Sequence, residues 1–239
     1  MIRRFRPTFW PTLISVPALL VLLALGTWQM QRLAWKEDII RAFSERVSAD
    51  PLTTAPAGQS LAEIEYRRVK LSGHYVNDRE MFLAGRTFNG RGGWAILTPF
   101  RTDDGALVVV DRGWVPLDRK DPRTRPQSLI EGPTTVEGLI RRPNLRTYFT
   151  PDNEPEKNLW FSADVEAMAQ KSGLGPVRPY LVEGLRQPIP GGFPVGGEIQ
   201  VALRNDHLQY AITWYSLAIA LVVIYVLYHL KLERDRKPA

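Results

Sequence analysis

The chain reads as membrane α plus soluble β, with two transmembrane helices flanking an antiparallel β-barrel or sandwich-like domain that carries one short helix. Three observations predict this. Residues 7–31 and 208–228 are uncharged runs, each long enough for the ~20 residues that cross a hydrocarbon core. Between them lie short β-branched and aromatic runs separated by Gly, Pro, Asn and Asp, the pattern of an all-β domain. The formal net charge is +6, and its distribution is that of a two-span protein. Arg3, Arg4 and Arg6 carry three of these charges and the tail after Leu230 carries two more, which leaves one in between. By the positive-inside rule both termini face the cytoplasm and the domain faces the other side, the periplasm of a bacterium.

Residues 1–31 form a basic lead and the first span. A cleaved signal peptide competes, because Ala24 and Gly26 imitate a cleavage site. Phe9 and Trp10 at one end and Trp28 at the other make the two-ended aromatic belt of a retained helix. The lead is too short for a mitochondrial presequence, which favours a bacterial inner membrane. Helical spacing with mixed charge continues through 35–47, so the helix is expected to extend past the bilayer; residues 32–60 are this extension and a linker over 51–60 made mostly of Pro, Thr, Ala and Gly. Within the domain at 61–198, strands are expected at 69–76, 80–85, 94–100, 106–115, 134–141 and 180–183, with a turn at Asp103, Asp104 and Gly105. The helix is expected at 165–171, capped by Ser162 or Asp164 and ended by Gly173. The run GGFPVGG at 191–197 is expected to be a flexible hinge leading to the second span at 199–230, and 231–239 is a cytoplasmic tail.

Composition excludes several classes of function. With no cysteine there is no disulfide, no thiolate zinc site and no thiol copper relay. The basic charge lies at the membrane ends, so nucleic acid is not an expected partner, whereas membrane lipid is. The domain holds no GxSxG, HExxH, phosphate loop or GxGxxG, and His74 is its one histidine. A membrane-tethered hydrolase therefore lacks a base, and His74 in mid-strand is expected to be a hydrogen-bonded structural residue. Asp111-Arg112-Gly113-Trp114 and Arg141-Arg142-Pro143 are alternatives between surface recognition patches and charge paired within the domain, with pairing preferred. His207 is the candidate site, because Arg204, Asn205, Asp206, Gln209, Tyr210 and Trp214 crowd that helix end. His229, about 33 Å away at ~1.5 Å per residue, is followed by an ordinary charged exit and reads as an interfacial anchor.

Several motifs in order along the chain resemble the Surfeit locus protein 1 family. They are Gly26-Thr27-Trp28-Gln29 with Arg32 and Lys36, Tyr66-Arg67, Val110 to Val115, Pro151-Asp152-Asn153, Asn158 to Phe161, and Asn205-Asp206-His207-Leu208-Gln209-Tyr210 with Trp214. One departure is Asp206, where asparagine is usual. The resemblance implies a non-enzymatic assembly factor for haem-copper cytochrome c oxidase that binds haem a transiently and assists its insertion into the catalytic subunit, with haem a synthase as a further partner. It also implies that His207 is the axial ligand of the haem iron. Ala211 and Trp214 share the helix face of His207, and Arg204 and Arg32 lie at the same level, where either suits a propionate. The bland alternative is that His207 and Gln29 only hydrogen-bond across the helix ends, within a scaffold that never contacts haem.

Overall fold

The computed structural model describes residues 7–143, 146–197 and 205–235. The chain divides into two compact units, one formed by the described parts of Met1–Ala42 and Val201–Ala239, the other by those of Phe43–Gln200.

The first unit is a pair of helices, α1 (Phe9–Ser48), which runs on into the second unit, and the last helix, His207–Asp235. Both are long and apolar enough to cross a membrane. Their apolar side chains are mostly exposed, among them Ile14, Leu20, Ile219 and Leu227. A core helix of a soluble protein would have buried them, so the two helices suggest a membrane protein with two spans. At 40 residues α1 is twice the length a bilayer needs. The helices meet through small residues. Ala211 and Ala218 are buried, and a Cβ added to Gly26 would stand 2.7 Å from the Tyr215 ring, so glycine is what admits that ring.

Beyond the end of α1, the second unit has a single turn, α2 (Leu61–Ile64), begun by a capping box between Ser60 and Glu63. Seven strands follow: β1 (Arg68–Tyr75), β2 (Met81–Phe88), β3 (Arg91–Thr102), β4 (Leu107–Pro116), β5 (Thr134–Arg141), β6 (Leu159–Trp160) and β7 (Leu181–Gly184), with α3 (Val165–Ser172) before β7 and α4 (His207–Asp235) closing the described chain. The sheet order is β1-β5-β7-β4-β3-β2-β6, and β1 also pairs with β3, so five strands are linked in a circuit. Gly73 makes that closure sterically feasible. It pairs with Thr134 on β5 and Thr102 on β3, and a Cβ there would fall 2.1 Å from the Arg101 carbonyl oxygen.

The sheet is mixed, which corrects the expected antiparallel one: β4–β7 and β2–β6 are parallel. Parallel pairing needs a long connection: residues 117–180 join β4 to β7 by way of β5, β6 and α3, and residues 89–158 join β2 to β6 by way of β3, β4 and β5. Alternating side chains of β4 feed two cores. Val108 and Val110 join Leu71, Phe100, Ile140 and Tyr180, while Val109 joins Trp160, Met168 and Leu181 beneath α3. Asp164, one of the two expected caps, accepts from the Ala167 N–H, and Gly173 ends the helix in the left-handed region.

Two expected loops are more ordered than composition implied. In the 51–60 linker, Leu52 bridges Val69 and Ala55 is buried in the first core. In the expected hinge, Val195 exchanges both backbone hydrogen bonds with Trp114 at 2.8 and 2.9 Å. A glycine-rich segment still carries donors and acceptors, and here the exposed edge at the end of β4 takes them up.

Candidate functional site

The helix pair is tied by polar contacts near both ends. His207 opens α4, and its Nδ1 lies 2.7 Å from Gln29 Oε1. An amide oxygen only accepts, so Nδ1–H donates and Nε2 carries the lone pair. Gln29 is buried and His207 half-buried. Toward the other end, His229 is fully buried rather than standing as an interfacial anchor. Its Nδ1 donates to the Tyr225 carbonyl at 2.8 Å, and its Nε2 accepts the Thr8 N–H at 3.0 Å. The Tyr225 hydroxyl meets Thr12 Oγ1 at 2.6 Å. Both ring nitrogens of His229 are thus committed to protein groups.

Of the other residues that the sequence placed with His207, Ala211 is buried one turn along and Trp214 half-buried two turns along the same face. Arg32 lies one turn past Gln29 on α1. Its guanidinium sits over the indoles of Trp28 and Trp35 at 5.9 and 4.9 Å. Arg204 lies outside the described residues. Among the described residues no group of three or more His, Asp or Glu side chains is gathered that could hold a bare metal ion.

His74 does not match its expected role. It is exposed on the outer face of β1 and makes no side-chain hydrogen bond among the described residues, so it is a solvated strand residue. The arginines of the two candidate patches do pair within the domain. Arg141 meets Glu183 at 3.0 Å and Arg142 meets Glu65 at 3.7 Å. Arg112 is buried, donating to Glu80 at 3.2 Å and to the Ser128 carbonyl, with its guanidinium 4.5 Å from the Tyr75 ring centre.

Sequence reading missed Glu80 and Arg125. Arg125 shares Glu80 with Arg112, reaching its two carboxylate oxygens at 2.6 and 3.3 Å. Burial is the main influence that lowers the Arg112 pKa from the usual arginine value, and the neighbouring Arg125 charge adds to it. Burial likewise raises the Tyr75 phenol above its ordinary value, against the pull of Arg112. The trio braces β2 and β4 against the loop around 117–128.

A family model described as the SURF1 family matches residues 16–219. Surfeit locus protein 1 of Rattus norvegicus is 36% identical over 223 residues, covering 87% of this chain and 71% of that protein. The SURF1-like protein of Monosiga brevicollis is 38% identical over 232 residues, 91% of this chain and 86% of that protein. Surfeit locus protein 1 of Homo sapiens is 37% identical over 212 residues, 82% of this chain and 70% of that protein.

Proposed function

Because this chain belongs to the SURF1 family, known as cytochrome oxidase assembly factors, we propose that it is an assembly factor for haem-copper cytochrome c oxidase that carries haem a as cargo. It holds the cargo through His207 and passes it to the catalytic subunit without catalysing a reaction on it. Haem a synthase is the proposed donor. The setting is a bacterial inner membrane with both termini cytoplasmic and the β domain periplasmic. The basic residues Lys231 and Arg234 beyond the apolar run of α4 support that orientation.

One observation carries the haem reading, the 2.7 Å bond between His207 Nδ1 and Gln29 Oε1. Histidine ligands commonly donate their second ring N–H to a neighbouring acceptor, which fixes the tautomer and aims the other nitrogen. The same bond leaves the Nε2 lone pair of His207 for an iron. With no cluster of further ligands among the described residues, an iron here has to arrive inside a ring that brings its own donors, as haem does. Trp214, half-buried two turns along the same helix face, offers an aromatic wall. Arg204 and Arg32 are the proposed propionate partners. A single axial histidine suits a carrier that has to release its cargo to a stronger site.

The test is the visible absorbance of the full chain purified after co-production with haem a synthesis. The wild type and His74→Ala retain the haem band and His207→Ala loses it. Gln29→Ala retains haem about 10–100-fold less tightly, as expected for a ligand's hydrogen-bond partner. The same His207–Gln29 bond would also serve a scaffold that never contacts haem. If His207→Ala keeps full haem content yet lowers oxidase maturation in cells, the scaffold reading replaces haem ligation.

A further inference from the structure

The last part of the glycine-rich run at 191–197 is a strap laid across the ends of two strands. Val195 exchanges hydrogen bonds with Trp114 of β4, while Gly197 donates to the Gly184 carbonyl of β7 at 2.9 Å and accepts the Arg186 N–H at 2.8 Å. Glycines make this fit possible. A Cβ on Gly113 would fall 2.0 Å from the Val195 carbonyl oxygen, one on Gly196 2.9 Å from the Leu185 carbonyl oxygen, and one on Gly197 2.8 Å from Glu183 Oε1. Gly113 also holds a φ of +113°, which glycine adopts without the strain a Cβ would bring.

The strap forms one side of a cleft that holds Asp111 of β4. Asp111 Oδ1 accepts the Gly113 N–H at 3.0 Å, so one glycine is gripped by the carboxylate and packed against the strap. The charged groups around Asp111 are Arg86 from β2, Arg141 from β5 with Arg142 next to it, Glu183 from β7 and Arg186 beyond it. Arg141 is engaged by Glu183, and Arg142 by Glu65. Residues 193–197 bring no charge of their own. Burial, opposed by Arg86 and reinforced by Glu183, pushes the Asp111 pKa from 3.8 up to about 6.

We propose that residues 193–197 are a proton-operated latch, bound to β4 and β7 while Asp111 is neutral and released from them when Asp111 gives its proton to solvent. A carboxylate under the closed strap lacks the hydration it would have in water, and lifting the strap restores it. Ionisation therefore favours the open form. Release frees five residues, ~17 Å of extended chain at about 3.4 Å each, in the connection to α4, which begins at His207. The latch thus sets the length of the tether between the β domain and the second long apolar helix.

The experiment is hydrogen exchange of the full chain in non-ionic detergent, read by mass spectrometry and corrected for the intrinsic effect of pH on amide exchange. The Val195 and Gly197 amides are expected to exchange faster than those of the buried Val69 and Leu71 in β1, because the strap opens without the domain unfolding. Their protection is expected to fall about tenfold between pH 5 and pH 7.5, the linkage that a rise from 3.8 to about 6 permits. Asp111→Asn keeps an acceptor for the Gly113 N–H and is expected to show the same strap protection at both pH values. Strap amides as strongly protected as those of Val69 and Leu71, protection that does not change with pH, or a pH dependence that survives in Asp111→Asn would each overturn the assignment.

Discussion

Replacing Glu80 by glutamine keeps the side-chain volume and removes the carboxylate that two guanidinium groups share inside the domain. The side chains of Arg112, Arg125 and Glu80 are all 2–3% exposed, so water cannot take over the lost charge. The remaining guanidinium bonds, to the Ser128, Arg119 and Lys120 carbonyls and the Ser128 hydroxyl, are dipolar and leave both charges uncompensated. Breaking a buried ion pair from one side costs about 3–5 kcal/mol. For a domain of this size, at ~2–4 °C per kcal/mol, the thermal midpoint falls by roughly 6–20 °C. The assay is thermal unfolding followed by near-ultraviolet circular dichroism. The Glu80→Gln/Arg125→Gln double variant, with one buried charge fewer, should recover part of the loss. A midpoint for Glu80→Gln within about 2 °C of wild type would refute the reasoning, because the guanidinium groups would then have to be hydrated.

Gly73→Ala forces a methyl group against the Arg101 carbonyl where β1 passes from β5 to β3, and should cost about 1–3 kcal/mol, read from the same melt. Asp111→Asn tests linkage between pH and folding. With a native pKa of about 6 against an ordinary 3.8, the folded chain holds a proton that the unfolded chain has released between about pH 4 and 6. Asp111 therefore lowers stability as the pH rises through that window, and the penalty is complete above about 6. The variant should be more stable than wild type at pH 7.5, on the order of 1–3 kcal/mol, and lose that advantage near pH 4. An advantage independent of pH would show that the carboxyl does not titrate there.

How far the sequence carried depended on whether the deciding contact was local. β5 falls where its Thr- and Val-rich run and flanking Gly-Pro placed it, and α3 begins and ends at its own cap and glycine. The direction of β7 was not legible, since strands of either polarity share the same short apolar pattern and the crossover decides which partner they meet. β6 has two residues, too few for a period to register. Glu80 headed an apolar run and Arg125 sat in a polar loop, so nothing local joined them across 45 positions. His229 could have been found. Thr8, just ahead of one apolar helix, with Thr12 inside it, and Tyr225 with His229 on the other, are polar pairs at i, i+4 spacing, and such a stripe along an apolar helix signals a partner helix.

That stripe bears on what the bond at the other end of the helix pair is for. His229 fills both ring nitrogens with Thr8 and Tyr225, and the Tyr225 hydroxyl adds Thr12. Between the ends, Ala211, Ala218 and the glycine under Tyr215 set the helix separation. Register and spacing are therefore specified without His207. A bond needed only to hold the helices would be redundant with these contacts, whereas a bond in which Nδ1 donates and Nε2 keeps its lone pair is what the proposed ligand role of His207 needs. If this is right, His207→Ala costs the helix pair in detergent no more than about 1–3 kcal/mol, the penalty for leaving one buried acceptor, Gln29 Oε1, without its donor. His229→Ala costs more, because it strands buried donor and acceptor groups. The opposite ranking would make His207 the structural tie and return the helix end to the scaffold reading.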